Sequence, residues 1–309
     1  MEAEKMAGLI QRRNRMGMVY TLPWLVGFLC FQVFPIGYSL FVSFHKWDMF
    51  TKPKYIGLAN YQQLLTDPRF LISFRNTLLF MVFSMGLGIS LGLFIAALLA
   101  ENIKGADVYR TIFYLPSLVV PIAFGMMMRP IFAGEGFGLI NLTLNLLGIK
   151  GVAWLDNPAT AFWVVIITNF WFIGACMVIF WAGIKNISPT YYEAAEIDGA
   201  GWWSRFFHIT IPMLSPVIFF QIVSGLIYAL QIFDIPIALA NLAGNYRAVM
   251  GRNDALGTLV FYLYMEGFRN WRMGKAAAIG WVILLIGLVF SLLILRIMRH
   301  TWRTGEAAQ

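Results

Sequence analysis

Long apolar runs are the feature that most restricts how this chain can fold. A helix needs about 20 predominantly apolar residues to cross the hydrocarbon layer of a bilayer, and the sequence reaches that length at about six places. The predicted spans are residues 16–44, 76–100, 111–132, 159–184, 212–240 and 276–298. The expected fold class is therefore an all-α polytopic membrane protein with about six transmembrane helices. Its single membrane domain covers residues 16–298, between tails at residues 1–15 and 299–309.

The composition excludes an ordinary soluble protein. Of the 309 residues, 60% are hydrophobic and only 12% are charged, whereas a soluble surface of this size carries far more charge. The formal net charge of +8 could indicate nucleic acid as a partner. However, the basic residues are scattered, and the terminal clusters flank apolar runs. Membrane lipid headgroups, and not nucleic acid, are therefore the expected anionic partner.

The basic tails predict that both termini lie in the cytoplasm, because the first helix usually sets the orientation. The first run is too long for the apolar core of a signal peptide and lacks a small-residue cleavage site, so we expect an uncleaved first span. Charge counting over all loops does not fix the orientation, since the loops assigned to the outside carry about as many Lys and Arg as the internal segments. The tail charges and the resemblance described below decide it.

A polar island at residues 185–211 separates the fourth and fifth predicted spans. Ser188 can cap a first helical turn, and Pro189 suits the first position of that turn. A short helix is therefore predicted over residues 190–198. Gly199 stands where a residue in the left-handed conformation would end this helix.

The predicted helix has one face with acidic side chains and another with small side chains. Glu193 and Glu196 are neighbours on one side, while Ala194 and Ala195 leave a low surface over which another protein can approach closely. On these features alone, an ordinary amphipathic loop helix between two membrane spans remains an alternative to a docking element.

At these residues the chain resembles the EAA loop of binding-protein-dependent ABC importer permeases. The matching residues are Glu193, Ala194, Ala195, Asp198, Gly199, Ala200, Ile209 and Pro212. With Pro216 and a phenylalanine before Ile209, the pattern is similar to the sugar-importer branch that includes the maltose transporter permeases. Ile211 departs from the leucine that is more common there. A three-residue match would favour the ordinary loop helix, but the extended match between two apolar runs favours docking.

The resemblance implies the type I ABC importer permease fold and a multi-pass protein of the bacterial cytoplasmic (inner) membrane. It assigns coupling to a cytoplasmic ATPase to Glu193, Ala194, Ala195, Asp198, Gly199 and Ala200. The implied partners are a second homologous permease subunit, a dimeric ATPase and an extracytoplasmic substrate-binding protein. The implied function is the ATP-driven import of a sugar, oligosaccharide or polyol by alternating access.

The chain itself is not expected to be an enzyme or to hold a cofactor. Gly274 and Lys275 are followed by Ala276, so no phosphate-binding P-loop can form there, and ATP with its Mg²⁺ is assigned to the partner ATPase. Cys30 and Cys176 lie in apolar runs and indicate packing rather than a metal site or a disulfide. The three histidines are far apart in the sequence, and no catalytic constellation is evident.

Two other classes of protein compete with this interpretation. A stand-alone secondary transporter or channel predicts an intramembrane ionisable relay and usually an inverted repeat, and Asp234 by itself is a poor relay. A membrane-embedded enzyme predicts a catalytic constellation that the sequence does not contain.

Asp234 is the sharpest polar feature inside a predicted span, because a charged side chain at the bilayer centre costs roughly 2.5–3.5 kcal/mol on insertion scales. With Gln231 and Tyr228 it could line a path for sugars, which are bound by hydrogen-bonding groups and aromatic faces. An interfacial aspartate that caps loop backbone near the outer surface is an equally weighted alternative. Asn169 and Gln221 are second candidates for the path, although a lone amide in a membrane more commonly bridges two helices.

Small residues recur at every fourth position of the second predicted span, at Ser84, Gly88, Gly92, Ala96 and Ala100. We expect this stripe to pack against a neighbouring helix rather than to form a substrate groove, since it offers no polar recognition. The connecting loops predict an amphipathic surface segment within residues 45–70 and a short interfacial helix at residues 139–147.

Overall fold

The structure is a computed structural model that describes residues 2–101, 103–134, 138–240 and 250–306. The N-terminal half contains the helices α1 (Glu2–Phe28), α2 (Phe34–Ser43), α3 (Ala59–Thr66), α4 (Pro68–Ala100), α5 (Ala106–Tyr114), α6 (Pro121–Ile131) and α7 (Leu139–Leu146). The C-terminal half contains α8 (Pro158–Phe170), α9 (Ile173–Lys185), α10 (Pro189–Ile197), α11 (Trp202–Arg205), α12 (Ile211–Met213), α13 (Ser215–Leu230), α14 (Asp234–Leu239), α15 (Leu259–Tyr264) and α16 (Met273–Glu306). Short 3₁₀ or π turns lie at Leu29–Val33, Leu115–Leu118, Phe206–Thr210, Arg252–Asp254 and Met265–Arg269.

A small antiparallel hairpin follows α2. Its strands are β1 (His45–Lys46) and β2 (Lys54–Tyr55), and their register places Lys46 opposite Lys54. The predicted surface segment within residues 45–70 is thus a hairpin followed by α3. The helix predicted at residues 139–147 is confirmed as α7, while its interfacial position stays a prediction. Helices otherwise make up the regular structure of the described residues, as the sequence predicts.

The predicted number of about six spans is confirmed. Four helical segments are long and apolar enough to cross a membrane, at Met16–Ser43, Pro68–Ala100, Ser215–Leu239 and Met273–Ile297. Two bent pairs, Ala106–Leu118 with Pro121–Ile131 and Pro158–Phe170 with Ile173–Lys185, bring the number to six if each pair is one span. Between the fifth and sixth predicted spans lies a segment, residues 241–275, that the predicted topology places outside the cell; its residues 241–249 lie outside the described residues.

The second span begins earlier than predicted. α4 starts at Pro68 instead of residue 76, because the Asp67 carboxylate accepts a hydrogen bond of 3.0 Å from the Arg69 N–H and caps the helix. Pro68 suits the first helical position, where its missing N–H has no intrahelical partner. The prediction followed hydropathy, which is low in these first two turns. α16 likewise begins at Met273 instead of residue 276.

The third predicted span, in which Pro116, Pro121 and Pro130 predict a kink, is broken into two helices. Its two halves meet at 96°, and between them the backbone of Val119 and Val120 is extended. Pro116 lies in the 3₁₀ turn before this break, and Pro121 opens the helix after it. Neither proline has an N–H to continue a helical hydrogen-bond ladder, which is the physical reason for the bend.

The chain divides into two compact units. One consists of Met1–Gln63 with Glu266–Trp281, and the other of Leu64–Met265 with Val282–Gln309. The first holds the initial span, the hairpin and the start of α16. The second holds the candidate sites predicted from the sequence. The single membrane domain over residues 16–298 stays a prediction.

Close packing of α4 on α9 forms part of the core of the larger unit. A Cβ atom built on Gly92 would lie 3.0 Å from the Cys176 sulfur, while Ala96, Met177 and Phe180 are fully buried. This contact confirms that the stripe of small residues on α4 packs against a helix at Gly92 and Ala96. The small side chains let the two backbones approach closely, which is how membrane helices gain van der Waals contact.

Candidate coupling loop and membrane cavity

The polar island folds into the short helix that was predicted, here as α10, with a well-defined end. Gly199 has φ +76°, in the left-handed region, as expected. The Gly199 N–H donates to the Glu196 carbonyl at 3.0 Å, and the Ala200 N–H donates to the Ala195 carbonyl at 2.8 Å. These two bonds form a Schellman motif, which satisfies the last carbonyls of the helix and turns the chain sharply.

The start of α10 differs in one detail from the prediction. Ser188 occupies the N-cap position, and Pro189 stands in the first turn. However, the Ser188 side chain makes no capping hydrogen bond. Its hydroxyl lies 2.8 Å from the Thr190 hydroxyl instead. Proline and the N-cap backbone therefore begin the helix without the predicted side-chain cap.

The outer surface of α10 is exposed along its length. Glu193, Ala194 and Asp198 are exposed, as a docking element requires. Ile197 leaves 88% of its surface open, and Tyr191 leaves 52% open. Sequence reasoning missed these two residues, although a bulky apolar side chain inside a polar island was the available signal. Exposed apolar groups beside carboxylates are typical of a surface that another protein covers.

The inner surface of α10 faces a groove of about 330 Å³. Glu101 and Ala100, at the end of α4, line it together with Lys185, at the end of α9. The Lys185 ammonium group donates a hydrogen bond of 2.8 Å to the Ala100 carbonyl. A cation at this position satisfies one of the last carbonyls of α4 and interacts favourably with its helix dipole.

Arg205 joins α10 to the returning chain. Its guanidinium group pairs with the Glu196 carboxylate and lies 3.9 Å from the Glu101 carboxylate. Only 17% of the Arg205 side chain is exposed. The sequence alone does not identify Arg205 as a structural residue of the loop, because its partners are nine positions upstream and in a different loop.

An aromatic cluster holds the other end of the loop. The Trp202 and Phe206 rings stack with their centroids 5.1 Å apart, and Phe94 of α4 meets Trp203 at 6.1 Å. Tyr192 of α10 has its hydroxyl 3.1 Å from the Thr210 hydroxyl. The loop is therefore attached to α4 by packing as well as by charge.

A second cavity, of about 340 Å³, lies between α4, α8, α9 and α13. Three of the five predicted path residues line it: Asn169, Gln221 and Tyr228. The Asn169 amide donates to the Ser84 hydroxyl at 3.0 Å, and the Tyr228 hydroxyl donates to the Asn169 oxygen at 2.8 Å. The Asn169 amide thus bridges two helices and also faces the cavity. A helix-bridging role and a role in the substrate path are therefore compatible for this residue.

The remaining two path candidates lie elsewhere. Gln231 follows α13 and Asp234 is the first residue of α14, and both side chains are exposed. Neither lines the cavity.

The small-residue stripe is only partly a packing surface. Ser84 and Gly88 line the cavity, and a Cβ atom on Gly88 would have no neighbour within 4 Å. The expectation that the whole stripe packs on a helix is wrong for this part. The serine hydroxyl supplies the polar group that the stripe was thought to lack.

Known proteins match the chain over nearly its whole length. The sequence profile described as "Binding-protein-dependent transport system inner membrane component" matches residues 88–303. "Probable ABC transporter permease protein YesP" of Bacillus subtilis (strain 168) is 39% identical, over 94% of this chain and 93% of the relative. "Arabinooligosaccharides transport system permease protein AraP" of the same strain is 31% identical, over 90% of this chain and 87% of the relative. A chain of a bacterial ABC transporter involved in the import of the acidic polysaccharide alginate superposes with a TM-score of 0.80 and 24% identity, covering 94% of this chain and 98% of that one.

Proposed function

Because the chain belongs to the family of binding-protein-dependent transport system inner membrane components, we propose that it is the membrane subunit of an ATP-driven importer for a sugar or oligosaccharide in a bacterial cytoplasmic membrane. A related permease named for arabinooligosaccharide transport supports the substrate class. The proposed partners are a second permease subunit, a dimeric ATPase and an extracytoplasmic binding protein. The structurally similar alginate transporter has been solved with an oligosaccharide-bound periplasmic protein, which supports the last of these.

One observation carries the proposal: the same two helices line both the coupling groove and the membrane cavity. α4 contributes Ala100 to the groove and Gly88 to the cavity, and α9 contributes Lys185 and Cys176 respectively. The twelve helical steps from Gly88 to Ala100 span about 18 Å. A displacement of α10 is therefore transmitted through the closely packed helices α4 and α9 to the residues that line the cavity.

The exposed surface of α10 receives the ATPase in this proposal. Glu193, Ala194, Ala195, Asp198, Gly199 and Ala200 form the coupling set. Ala194 and Ala195 let the partner approach closely, and Ile197 adds an apolar contact at the end of the helix. Arg205 ties this helix to the loop behind it, so that force on α10 moves the loop as one body.

The membrane cavity receives the substrate. Asn169, Gln221 and Tyr228 offer hydrogen bonds to sugar hydroxyl groups, and Tyr228 also offers an aromatic face. Asp234 and Gln231 remain proposed path residues beyond the cavity. No covalent bond changes in this chain and it needs no cofactor. ATP hydrolysis occurs in the partner ATPase, which supplies the work for alternating access.

The test is to purify the chain from its native membrane with its associated proteins. We expect an ATPase to co-elute and its turnover to rise when substrate-loaded binding protein is added. Uptake by the isolated chain, driven by an ion gradient and independent of ATP, would show instead that the protein is a secondary transporter.

A further inference from the structure

A third cavity, of about 810 Å³, lies in the unit that contains the hairpin. It is formed where the initial span ends and α16 begins, and its lining includes Lys46, Lys52, Lys54, Arg272, Lys275 and a single carboxylate, Asp48. Cavities of about 300–1,000 Å³ are the usual size of small-ligand sites. The function proposed above makes no use of this cavity.

Three of these cations lack an ion-pair partner in the part of the chain that the structure describes. Among the described residues, Lys46, Lys52 and Lys54 form no ion pair, and all three are exposed. Lys46 stands directly opposite Lys54 in the hairpin register. Like charges at directly opposed positions destabilise a hairpin, so an anion placed between them would offset their repulsion.

The nearby carboxylates offset the charge of these lysines only in part, since Asp48 contributes one negative charge against three positive ones. Asp48 is engaged in its own turn, where the Thr51 hydroxyl donates to it at 2.7 Å and the Thr51 N–H donates at 2.8 Å. These bonds hold the pKa of the Asp48 carboxyl below its ordinary value. The buried Glu266 carboxylate lies 3.5 Å from Lys275 and 3.5 Å from Arg272, so it serves the other two cations.

The rest of the lining has the chemistry of a carbohydrate site. Asn60, Gln63 and Asn270 line the cavity beside the cations, and Trp47 and Trp271 supply aromatic faces. The Asn60 amide nitrogen already donates to the Ser43 and His45 carbonyls, and the Asn270 amide nitrogen donates to the Glu266 carboxylate. Trp271 has φ +54°, a left-handed conformation that a bulky residue adopts only where its surroundings hold it. The ring of Phe50 lies against it, with centroids 5.0 Å apart. Amides hydrogen-bond hydroxyl groups, and aromatic faces stack on sugar rings.

We propose that this cavity binds an anionic saccharide, whose carboxylate groups lie among Lys46, Lys52 and Lys54 and whose rings lie against Trp271. The proposal rests on the importer function, in which the segments after the first span and before the last face the outside. It also explains why the predicted external loops carry as many basic residues as the internal ones, against the usual bias. The cavity would then hold acidic substrate outside the membrane.

The test uses the assembled transporter in nanodiscs of neutral phosphatidylcholine, without ATP. Trigalacturonate and its full methyl ester share one skeleton and differ in charge, so both are titrated while tryptophan fluorescence or calorimetry is recorded. We expect trigalacturonate to bind at least about tenfold more tightly than the ester, with an affinity that falls as salt rises. Equal binding of acid and ester would overturn the proposal.

The paired variant Lys52→Gln with Lys54→Gln removes two exposed charges. We expect it to weaken trigalacturonate binding about tenfold, whereas Lys150→Gln, on another predicted external loop, leaves the affinity unchanged. An unchanged affinity in the paired variant, or an equal loss in Lys150→Gln, would overturn the proposal. Circular dichroism and yield check that each variant is folded.

A lipid headgroup presents similar anionic chemistry, and a further arm separates the two sources. Nanodiscs with phosphatidylglycerol are compared with the neutral ones, and co-purified lipid is measured. Retention of phosphatidylglycerol that depends on Lys52 and Lys54, with no trigalacturonate binding in neutral lipid, would show a lipid site and overturn the proposal.

Two outcomes distinguish this inference from the proposed function. Normal ATP-driven uptake without uronate binding would overturn this inference alone. Uronate binding without ATPase coupling would overturn only the importer function.

Discussion

Arg205 forms an ion pair with Glu196 across the turn that ends α10. The pair closes the polar island onto itself, and the same guanidinium group lies 3.9 Å from Glu101 at the end of α4. A loop fixed in this way can transmit a displacement caused by a protein that binds α10. A flexible loop would deform instead and would not pass the displacement on.

The first prediction concerns this pair. Arg205→Gln should lower the ATPase stimulation by loaded binding protein, because α10 loses its attachment to the loop behind it. Exchanging the charges, as Arg205→Glu with Glu196→Arg, should restore part of the loss. A double-mutant cycle on ATPase affinity should give an interaction of about 1 kcal/mol. If the exchange variant is no better than the sum of the single ones, the pair has no coupling role.

The second prediction concerns the end of α10. Gly199→Val forces a β-branched side chain into the left-handed region at a cost of roughly 1–2 kcal/mol, although no atom lies within 4 Å of the new Cβ. We expect hydrolysis to become uncoupled from uptake. Gly201→Val is the matched control, since Gly201 has equally open surroundings and φ −69°. Equal behaviour of the two variants would count against a need for the left-handed turn.

The third prediction concerns the exposed surface of α10. Glu193→Lys and Ile197→Asp should leave membrane insertion intact and reduce the amount of ATPase that co-purifies, because both side chains are exposed and form no ion pair or side-chain hydrogen bond among the described residues. Lys104→Glu, an exposed charge reversal in another connector, serves as the control. Full uptake and complex yield in both α10 variants would argue that the ATPase docks elsewhere.

The sequence predicted the helices well because an apolar run of sufficient length has few other uses. It also predicted the end of α10 from Gly199, since the left-handed conformation has a strong residue preference. It did not predict where α4 begins, because the capping signal of Asp67 and Pro68 lies outside the apolar run.

The cavity was harder to predict than the loop. Ser84 and Asn169 are 85 positions apart, and only the packing of α4 against α8 brings them to 3.0 Å. The spacing of small residues shows which face of α4 carries the small side chains. It does not show which part of that face a neighbouring helix covers. The 96° bend of the third segment has the same origin, since the prolines predict a kink without its angle.

The fourth prediction concerns substrate in the membrane cavity. Tyr228→Phe and Asn169→Leu each remove a hydrogen-bonding group worth about 1 kcal/mol, so the KM for uptake should rise roughly fivefold. Thr168→Val is the neighbouring control, because the Thr168 hydroxyl is buried and has no hydrogen-bond partner among the described residues. Asp234→Asn extends the test to the proposed path beyond the cavity. Unchanged affinity and selectivity in all three path variants would remove the cavity from the transport path.

The most direct test of the central claim is the side of the membrane on which α10 lies and what covers it there. Ala194→Cys is made in a chain with Cys30→Ala and Cys176→Ala, and a membrane-impermeant maleimide is applied to vesicles of both orientations. We expect labelling only in inside-out vesicles, and loss of that labelling when the ATPase is bound. Labelling in right-side-out vesicles, or labelling that the ATPase never blocks, would contradict the account.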